Sequence, residues 1–177
     1  MSINGPLDLP VAVKTSLSTD PATGRDSGRS LYTAFKVWSY QRVYGDLYSQ
    51  ATEVFNAPYA GQLDALFAGT RRNGDIVAAL PASPRMLLSP NALTATLSDS
   101  NQIAARGREN DVIDVNPASP LISCHGTLDD TVPYSITVAA RERLAARGAS
   151  LTVLERTGQD HHSAYGPCML EAVRIFR

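Results

Sequence analysis

The sequence predicts an α/β protein, because two stretches of it carry different patterns. After residue 112, short apolar runs alternate with helical patterns in the order strand, helix, strand, helix. Residues 31–106 read instead as helices joined by Pro and Gly turns. The 177 residues, of which 44% are hydrophobic and 19% charged, are enough for one ordinary globular domain and argue against a disordered chain.

Composition also limits the classes of partner. Lys and Arg number 16 against 17 Asp and Glu, and no basic patch dominates, so neither nucleic acid nor an anionic membrane is indicated. No apolar run approaches the roughly 18 residues of a membrane span. Residues 1–10 show no signal peptide, so the compartment stays undecided.

Two cysteines, Cys124 and Cys168, are too few for a disulfide framework and lack the partners of a zinc site. They are either two buried thiols or one disulfide, and we favour the thiols. Neither a metal nor a cofactor is predicted.

The first part of the chain, residues 1–29, is rich in Ser, Thr, Asp, Gly and Pro and predicts a loop. A long helix that ends at residues 56–58 is expected next, since apolar side chains recur there at three- and four-residue steps: Val37, Tyr40, Tyr44, Leu47, Ala51 and Val54. Gly45 is the point at which this helix would kink. Shorter helices are expected around Gln62–Phe67, Asp75–Leu80 and Asn91–Ala105.

Aromatic side chains concentrate in this helical stretch. Packing between helices is the simpler interpretation and the one that we favour. The alternative is an apolar wall over a ligand pocket, since such pockets are lined mostly by these side chains. In that case Trp38, Tyr44 and Phe55 would contact a substrate.

The last part of the chain predicts two strands and two helices. Apolar runs at residues 120–124 and 151–154 read as buried strands. Between them Pro133 begins a helix that ends at Gly148, which suits a left-handed cap. The apolar stripe of this helix comprises Ile136, Ala139, Ala140 and Leu144. This order implies a parallel pair with a right-handed crossover. Ser163 is expected to cap a final helix, whose inner face comprises Met169, Ala172, Val173 and Phe176.

Polar loops follow both predicted strands. The first loop contains Asp129 and Asp130, and the second contains His161 and His162. Functional groups gather at the carboxyl ends of parallel strands, where an acid can orient an imidazole and stabilise it when it takes a proton. The simpler interpretation keeps the aspartates as caps of the following helix and the histidines as surface residues.

These loops resemble those of a known family. Residues 120–133 resemble the H-G-x-x-D-x-x-V-P signature of the α/β-hydrolase fold, common in its lipase, esterase and prolyl-peptidase branches. The resemblance implies that Asp129, rather than the next residue, is the catalytic acid. It implies that His161, rather than His162, is the catalytic histidine. His125 is expected to be structural.

The resemblance extends over nearly the whole chain but covers only the C-terminal half of the family's fold. Residues 4–9 are similar to the tip of the sixth strand, and the helical stretch is similar to the cap inserted after it in secreted bacterial lipases and esterases. The implied fold class is α/β, with few parallel strands, flanking helices and a helical cap. Three parts follow: 1–30, the end of a core strand and a linker; 31–111, the helical cap; and 112–177, the core portion with the acid and histidine loops.

A nucleophile is missing from this pattern. A serine hydrolase of this fold carries its serine in G-x-S-x-G, and the nearest approach, residues 24–28, has its serine one place late. The family's first five strands also have no counterpart. Exposed apolar edges are therefore expected on Leu121–Cys124 and Leu151–Leu154, which invite pairing with another chain. The partner would be a complementing N-terminal half or a second copy in a homo-oligomer.

The resemblance implies a carboxylic ester hydrolase of the lipase or esterase type, with a small-molecule ester as substrate. Its Ser-His-Asp mechanism would have only Asp129 and His161 on this chain. A prolyl-peptidase-like hydrolase is the alternative within the same chemistry. An inert fragment or a binding subunit is the alternative outside it.

Overall fold

The structure, a computed structural model, describes residues 1–18, 28–111, 113 and 118–177. The chain divides into two compact units, which we call the sheet unit (Met1–Thr15 with Asn110–Arg177) and the helical unit (Ser16–Glu109). The division into 1–30, 31–111 and 112–177 stays a prediction. Of the rejected G-x-S-x-G candidate, residues 24–27 lie outside the described residues.

Three parallel strands form the sheet: Ser2–Ile3 (β1), Leu121–Gly126 (β2) and Leu151–Arg156 (β3). β2 lies in the middle and pairs with β3 along its full length, which confirms the predicted parallel pair. β1 pairs with the other edge of β2. The apolar edge expected on Leu121–Cys124 is therefore covered only in part, because β1 pairs with Ser123 and Cys124 but not with Leu121 or Ile122. β3 has no second neighbour among the described residues.

Helices make up most of the remaining regular structure in the described ranges: Leu9–Ser18 (α1), Arg29–Tyr44 (α2), Ala57–Ala60 (α3), Leu63–Leu66 (α4), Asn73–Ala79 (α5), Pro90–Leu97 (α6), Gln102–Glu109 (α7), Tyr134–Ala146 (α8) and Tyr165–Ile175 (α9). One 3₁₀ turn, Ala51–Glu53, lies between α2 and α3. Strands and flanking helices together confirm the predicted α/β class. Within these described ranges, every helix is too short or too polar to span a bilayer.

The loop predicted over residues 1–29 is wrong in part, since it contains β1 and α1. β1 is only two residues long and exists because β2 supplies its hydrogen-bond partners, so no local pattern marks it. α1 follows Asp8, whose Oδ1 accepts the backbone N–H of Val11 at 3.1 Å, and Pro10 lies in its first turn. Both residue types are common at helix starts.

The predicted long helix ends earlier than expected. Gly45 closes α2 in the left-handed conformation, with φ 72°, and donates its N–H to the carbonyl of Gln41. Because glycine adopts this conformation at little cost, the chain ends the helix here and does not kink. The helix expected over residues 91–105 is likewise two helices, α6 and α7, separated near Asp99 with φ 56°. The short helices expected near residues 62–67 and 75–80 are confirmed as α4 and α5.

α8 packs on β2 and β3 through the face that the sequence predicts. Ile136, Ala140 and Leu144 are buried, and the last two contact Leu151 at the start of β3. Gly148 ends this region with φ 77°, as predicted. The apolar stripe and the glycine are local signals, which is why this element could be predicted well.

Cys124 in β2 and Cys168 in α9 form a disulfide, with their Cα atoms 5.7 Å apart. The expectation of two free thiols is therefore wrong. The two residues are 44 positions apart in the chain, and only the parallel crossover of the sheet brings them together. Both are fully buried, and they pack with Ala164, Ile3 and Leu154.

The inner face predicted for α9 is also wrong. The helix is buried at Cys168, while Met169, Val173 and Phe176 are exposed. The disulfide attaches the helix through Cys168, and this rotates the predicted stripe away from the sheet. The α9 apolar face, as we call it, consists of five exposed side chains: Tyr165, Met169, Leu170, Val173 and Phe176.

A charged cluster within the sheet unit joins α8 to the residue before α1 and to a residue just after α7. Arg143 on α8 bonds Asp8 Oδ2 at 2.5 Å and Asp111 Oδ2 at 3.2 Å. The other oxygen of Asp111 accepts the N–H of Leu9 at 3.2 Å. Because both carboxylates are almost fully buried, the shared arginine offsets the cost of their desolvation. One side chain thus ties together two segments of the sheet unit that are about a hundred positions apart in the chain.

Candidate functional site

The loops after β2 and β3 meet at the carboxyl end of the sheet. Leu128 donates its N–H to Gln159 O at 3.0 Å, and Thr127 Oγ1 accepts the N–H of Gly158 at 2.9 Å. Gly126 lies where the loops approach most closely, since a Cβ atom at this position would overlap the carbonyl oxygen of Gln159. Glycine is therefore required here for the loops to meet.

Asp129 is buried in the first of these loops. Its Oδ1 accepts the backbone N–H groups of Thr131 at 3.0 Å and Val132 at 2.8 Å. These bonds shape the turn before α8, but the helix itself has no side-chain cap at Pro133. Helix capping therefore does not account for Asp129, whose second oxygen remains available for other donors.

His161, in the second loop, reaches that second oxygen. Its Nδ1 lies 2.8 Å from Asp129 Oδ2, and its side chain is 20% exposed, whereas that of Asp129 is fully buried. Since a carboxylate only accepts, His161 donates its Nδ1–H, and the neutral ring carries its lone pair on Nε2. The structure thus brings together the two residues that the resemblance implies as acid and base.

Asp129 is held in its ionised form. Burial raises the pKa of this carboxyl, but hydrogen bonds from His125, His161 and the N–H of Val132 outweigh burial and lower it to about 2. A negative charge beside His161 is therefore present at every pH at which an imidazole titrates. Such a charge stabilises the ring once it takes a second proton.

A turn built by Asp160 presents His161. Its Oδ1 accepts the N–H of His162 at 3.0 Å, the N–H of Ser163 at 2.8 Å and the hydroxyl of Ser163 at 2.8 Å. Hydrogen bonds from the Ser163 backbone and hydroxyl lower the pKa of Asp160. The serine that was predicted to cap α9 is thus part of this turn, and the cap position is Ala164 without a side-chain bond.

Asn4, which sequence reasoning missed, joins β1 to both loops. Its Nδ2 donates to His161 O at 2.7 Å, and its Oδ1 accepts the N–H of Gly126 at 3.2 Å. It is buried and has φ 48°, a conformation that Asn adopts more readily than most residues. The only local signal was the Asn-Gly-Pro turn at residues 4–6.

The second candidate histidine, His162, is exposed, and its ring lies edge-on to that of His161 with centroids 5.6 Å apart. No bond joins it to Asp129 among the contacts that the structure describes. In the described part of the chain, no three His, Cys, Asp or Glu side chains are grouped so that they could hold a metal ion.

The three aromatic residues expected to contact a substrate all lie in the helical unit. Trp38 donates its Nε1–H to Asp64 Oδ1 at 2.7 Å. Tyr44 lies under the guanidinium of Arg106, which is 4.2 Å from the ring centroid. Phe55 is fully buried, so its ring has no surface to offer a ligand and serves the interior of the unit.

Solved structures resemble this chain, although no protein-family model and no curated protein matches it. The rice cell wall degrading esterase LipA from Xanthomonas oryzae matches with a TM-score of 0.80 and 22% identity, over 98% of this chain and 47% of the esterase. The ligand-bound form of that esterase matches with a TM-score of 0.79 and 22% identity, over 94% and 45% of the two chains. A provisionally assigned hydrolase from Legionella pneumophila matches with a TM-score of 0.79 and 22% identity, over 97% and 44%.

At this level of identity the likeness concerns the fold. The chain spans a little under half the length of the solved structures that it matches. Its parallel strands and flanking helices correspond to the C-terminal half of the esterase's α/β fold. The chain therefore has the fold of the C-terminal half of an α/β-hydrolase, as its sequence predicts.

Proposed function

We propose that this chain carries the acid and the base of a carboxylic ester hydrolase with a Ser-His-Asp mechanism. The observation that supports the proposal most directly is the 2.8 Å hydrogen bond between His161 Nδ1 and Asp129 Oδ2 at the carboxyl end of the sheet. The likeness of fold to an esterase favours esters as the substrate class.

In this proposal His161 is the general base. As a serine oxygen attacks the ester carbonyl carbon, the hydroxyl proton moves to Nε2 of His161. The imidazolium then gives this proton to the leaving alcohol, and the same cycle with water releases the carboxylic acid. Asp129 stays ionised throughout and stabilises the positively charged ring.

The serine would come from a polypeptide that completes the fold. The sequence has no G-x-S-x-G, and the solved esterase is about twice as long as this chain. Two surfaces of the sheet unit suit such a partner: the edge of β1 that β2 leaves open and the α9 apolar face. A neighbouring strand and its helix would bury both surfaces.

The helical unit is proposed as the cap over the acyl group. Trp38 and Tyr44 are the candidates for contact with a substrate, since both rings are partly exposed. The charged partners of these rings, Asp64 and Arg106, hold them in place. Aromatic walls of this kind favour hydrophobic acyl chains over large polar substrates.

The proposal is tested with protein that includes the missing half, obtained by extending the reading frame upstream of the Met1 codon. A G-x-S-x-G is expected there, together with hydrolysis of short p-nitrophenyl esters. His161→Ala should lower kcat/KM by about a thousandfold or more. His162→Ala is the matched control and should cost less than about tenfold, because His162 makes no bond to Asp129.

Several outcomes would count against the proposal. A larger loss in His162→Ala than in His161→Ala would reject His161 as the base. Cleavage of prolyl amides without cleavage of esters would favour the prolyl-peptidase alternative. If a fluorophosphonate neither labels nor inhibits the extended protein, and no ester is cleaved, an inert subunit remains. If the fluorophosphonate labels a serine within these 177 residues, the proposal that the nucleophile comes from another polypeptide is wrong.

A further inference from the structure

A second histidine contacts the carboxylate of the proposed acid. His125 Nε2 lies 3.2 Å from Asp129 Oδ2, the same oxygen that receives the Nδ1–H of His161. His125 is the fifth residue of β2 and is completely buried, so no substrate can reach it. Any effect of His125 on a reaction must therefore pass through the side chains that it contacts.

Hydrogen bonding assigns the tautomer of this buried ring. His125 Nε2 also lies 2.8 Å from the carbonyl oxygen of Val132, and a carbonyl only accepts. The Nε2 atom must therefore carry a proton, which it donates to Val132 O, while Asp129 Oδ2 lies 3.2 Å from the same nitrogen. In the neutral ring, Nδ1 then accepts the hydroxyl proton of Thr137, whose Oγ1 is 2.7 Å away. Thr137 is itself completely buried on α8.

The result is a line of four groups that crosses the sheet unit from α8 to the histidine loop: Thr137, His125, Asp129 and His161. Backbone N–H groups hold only Oδ1 of Asp129. Without His125, the carboxylate could pivot about Oδ1 and move Oδ2 away from His161. With it, Oδ2 lies between two imidazole nitrogens, His161 Nδ1 at 2.8 Å and His125 Nε2 at 3.2 Å.

We propose that His125 is a positioning residue for the reaction, an imidazole protonated on Nε2 that holds Asp129 Oδ2 in place to receive His161. This inference rests on the proposed function for its catalytic meaning, but its geometry can be tested without catalysis. Thr137 is part of the same arrangement, since its hydroxyl bonds His125 Nδ1 and so favours the tautomer with the proton on Nε2.

Imidazole nitrogen spectroscopy tests the geometry on the 177-residue chain. The chain has three histidines, so His162→Gln is enough to begin the assignment of long-range ¹H–¹⁵N spectra. His125 is expected to be protonated on Nε2 and bare on Nδ1 at neutral pH, with His161 protonated on Nδ1. A His125 ring that carries its proton on Nδ1 alone would overturn the proposal.

Paired variants test the positioning. His125→Leu should speed the exchange of the His161 Nδ1–H with water by about tenfold or more, because the polar contact that holds the shared oxygen is lost. His125→Gln places an amide N–H near the former Nε2 and should restore slow exchange. Where His125→Leu fails to fold, Thr137→Val and Thr137→Ser form the second pair, of which only the serine variant keeps the hydroxyl. Unchanged exchange in folded His125→Leu or Thr137→Val would contradict the inference.

Kinetics of the extended protein separate this inference from the proposed function. His125→Leu should lower kcat by about tenfold or more with KM nearly unchanged, and His125→Gln should recover most of that loss. An active wild type with an equally active His125→Leu would reject the positioning role and leave the hydrolase proposal intact. An inactive wild type with the expected tautomers and exchange rates would reject the hydrolase proposal and leave the positioning geometry standing.

Discussion

Asp129 shows how hydrogen bonds can outweigh burial at a single residue. Removing a carboxylate from water favours its neutral form. Here the N–H groups of Thr131, Val132 and His161 donate to the two oxygens, and His125 Nε2 lies 3.2 Å from Oδ2. Because each donor favours the ionised form, their sum lowers the pKa from 3.8 to about 2.

This shift predicts a loss of stability in acid. Because the folded-state pKa is lower than the unfolded one, the ionised carboxylate contributes about 2 kcal/mol above about pH 4, and this contribution is lost as the pH falls towards about 2. Denaturant unfolding should therefore show wild type to be more stable than Asp129→Asn at about pH 7. The difference should shrink by about 2 kcal/mol at about pH 2, where other carboxyls titrate equally in both proteins. A difference that does not depend on pH would contradict this account of the site.

Asn4 offers a second prediction at this scale. Asn4→Gly keeps the left-handed backbone but removes the side-chain bonds to His161 O and to the N–H of Gly126. It is expected to lower the free energy of unfolding by about 1–3 kcal/mol and to speed amide exchange in both loops. Asn4→Asp keeps one acceptor for Gly126 and should be affected mainly at the His161 loop. Equal exchange in wild type and Asn4→Gly would show that Asn4 does not hold the loops.

The residues of the candidate site could be predicted only where a short sequence motif marks them. Asp129 and His161 stand in short motifs next to strand ends, so the sequence could suggest them. Asn4 could not be found in this way, because it meets His161 across 157 positions of the chain. Cys124 and Cys168 were misjudged for the same reason, since nothing near either residue indicates the other.

At the scale of elements, the same distinction explains what was predicted well. α8 has its apolar stripe and its terminal glycine within one stretch of sequence, and both are found as expected. α9 also has an apolar stripe, but a covalent bond from Cys168 to β2 decides which side faces inward. β1 is too short to show any period and depends wholly on β2.

The α9 apolar face gives a prediction for the proposed complementing half. Leu170→Gln with Phe176→Ser removes two exposed apolar side chains while leaving Cys168 in place. Capture of a separately expressed upstream half by the tagged chain should weaken by at least about tenfold, since each such side chain contributes about 1.5–3 kcal/mol when buried. The free energy of unfolding of the chain alone should change by less than about 0.5 kcal/mol.

An exposed apolar residue elsewhere is the control for this surface. Val43 on α2 is exposed but belongs to the helical unit, so Val43→Ser should leave the capture unchanged. If Val43→Ser weakens capture as much as the double variant does, capture depends on non-specific hydrophobic association, and α9 is not a docking surface.

At the scale of the whole molecule, one covalent loop encloses the candidate site. The disulfide joins residues 44 positions apart, and both Asp129 and His161 lie between them. Closing a loop of this length restricts the unfolded chain and contributes about 4 kcal/mol. Both candidate residues therefore lie within the segment that the disulfide closes.

Removing the disulfide should lower the stability of the chain. Cys124→Ala with Cys168→Ala is expected to lower the free energy of unfolding by about 4 kcal/mol, and a reducing agent should have a similar effect on wild type. Denaturant unfolding with and without reductant measures both, and the double variant should no longer respond to the reductant. An unchanged unfolding midpoint in reduced wild type would contradict a structural disulfide.

Arg143 has a consequence for how such a protein can change over time. One guanidinium joins Asp8, just before α1, to Asp111, just after α7. Because both carboxylates are nearly inaccessible to water, replacing any one of the three would leave a buried charge without its counter-charge. Homologous chains are therefore expected to keep these three charges together or to replace them together.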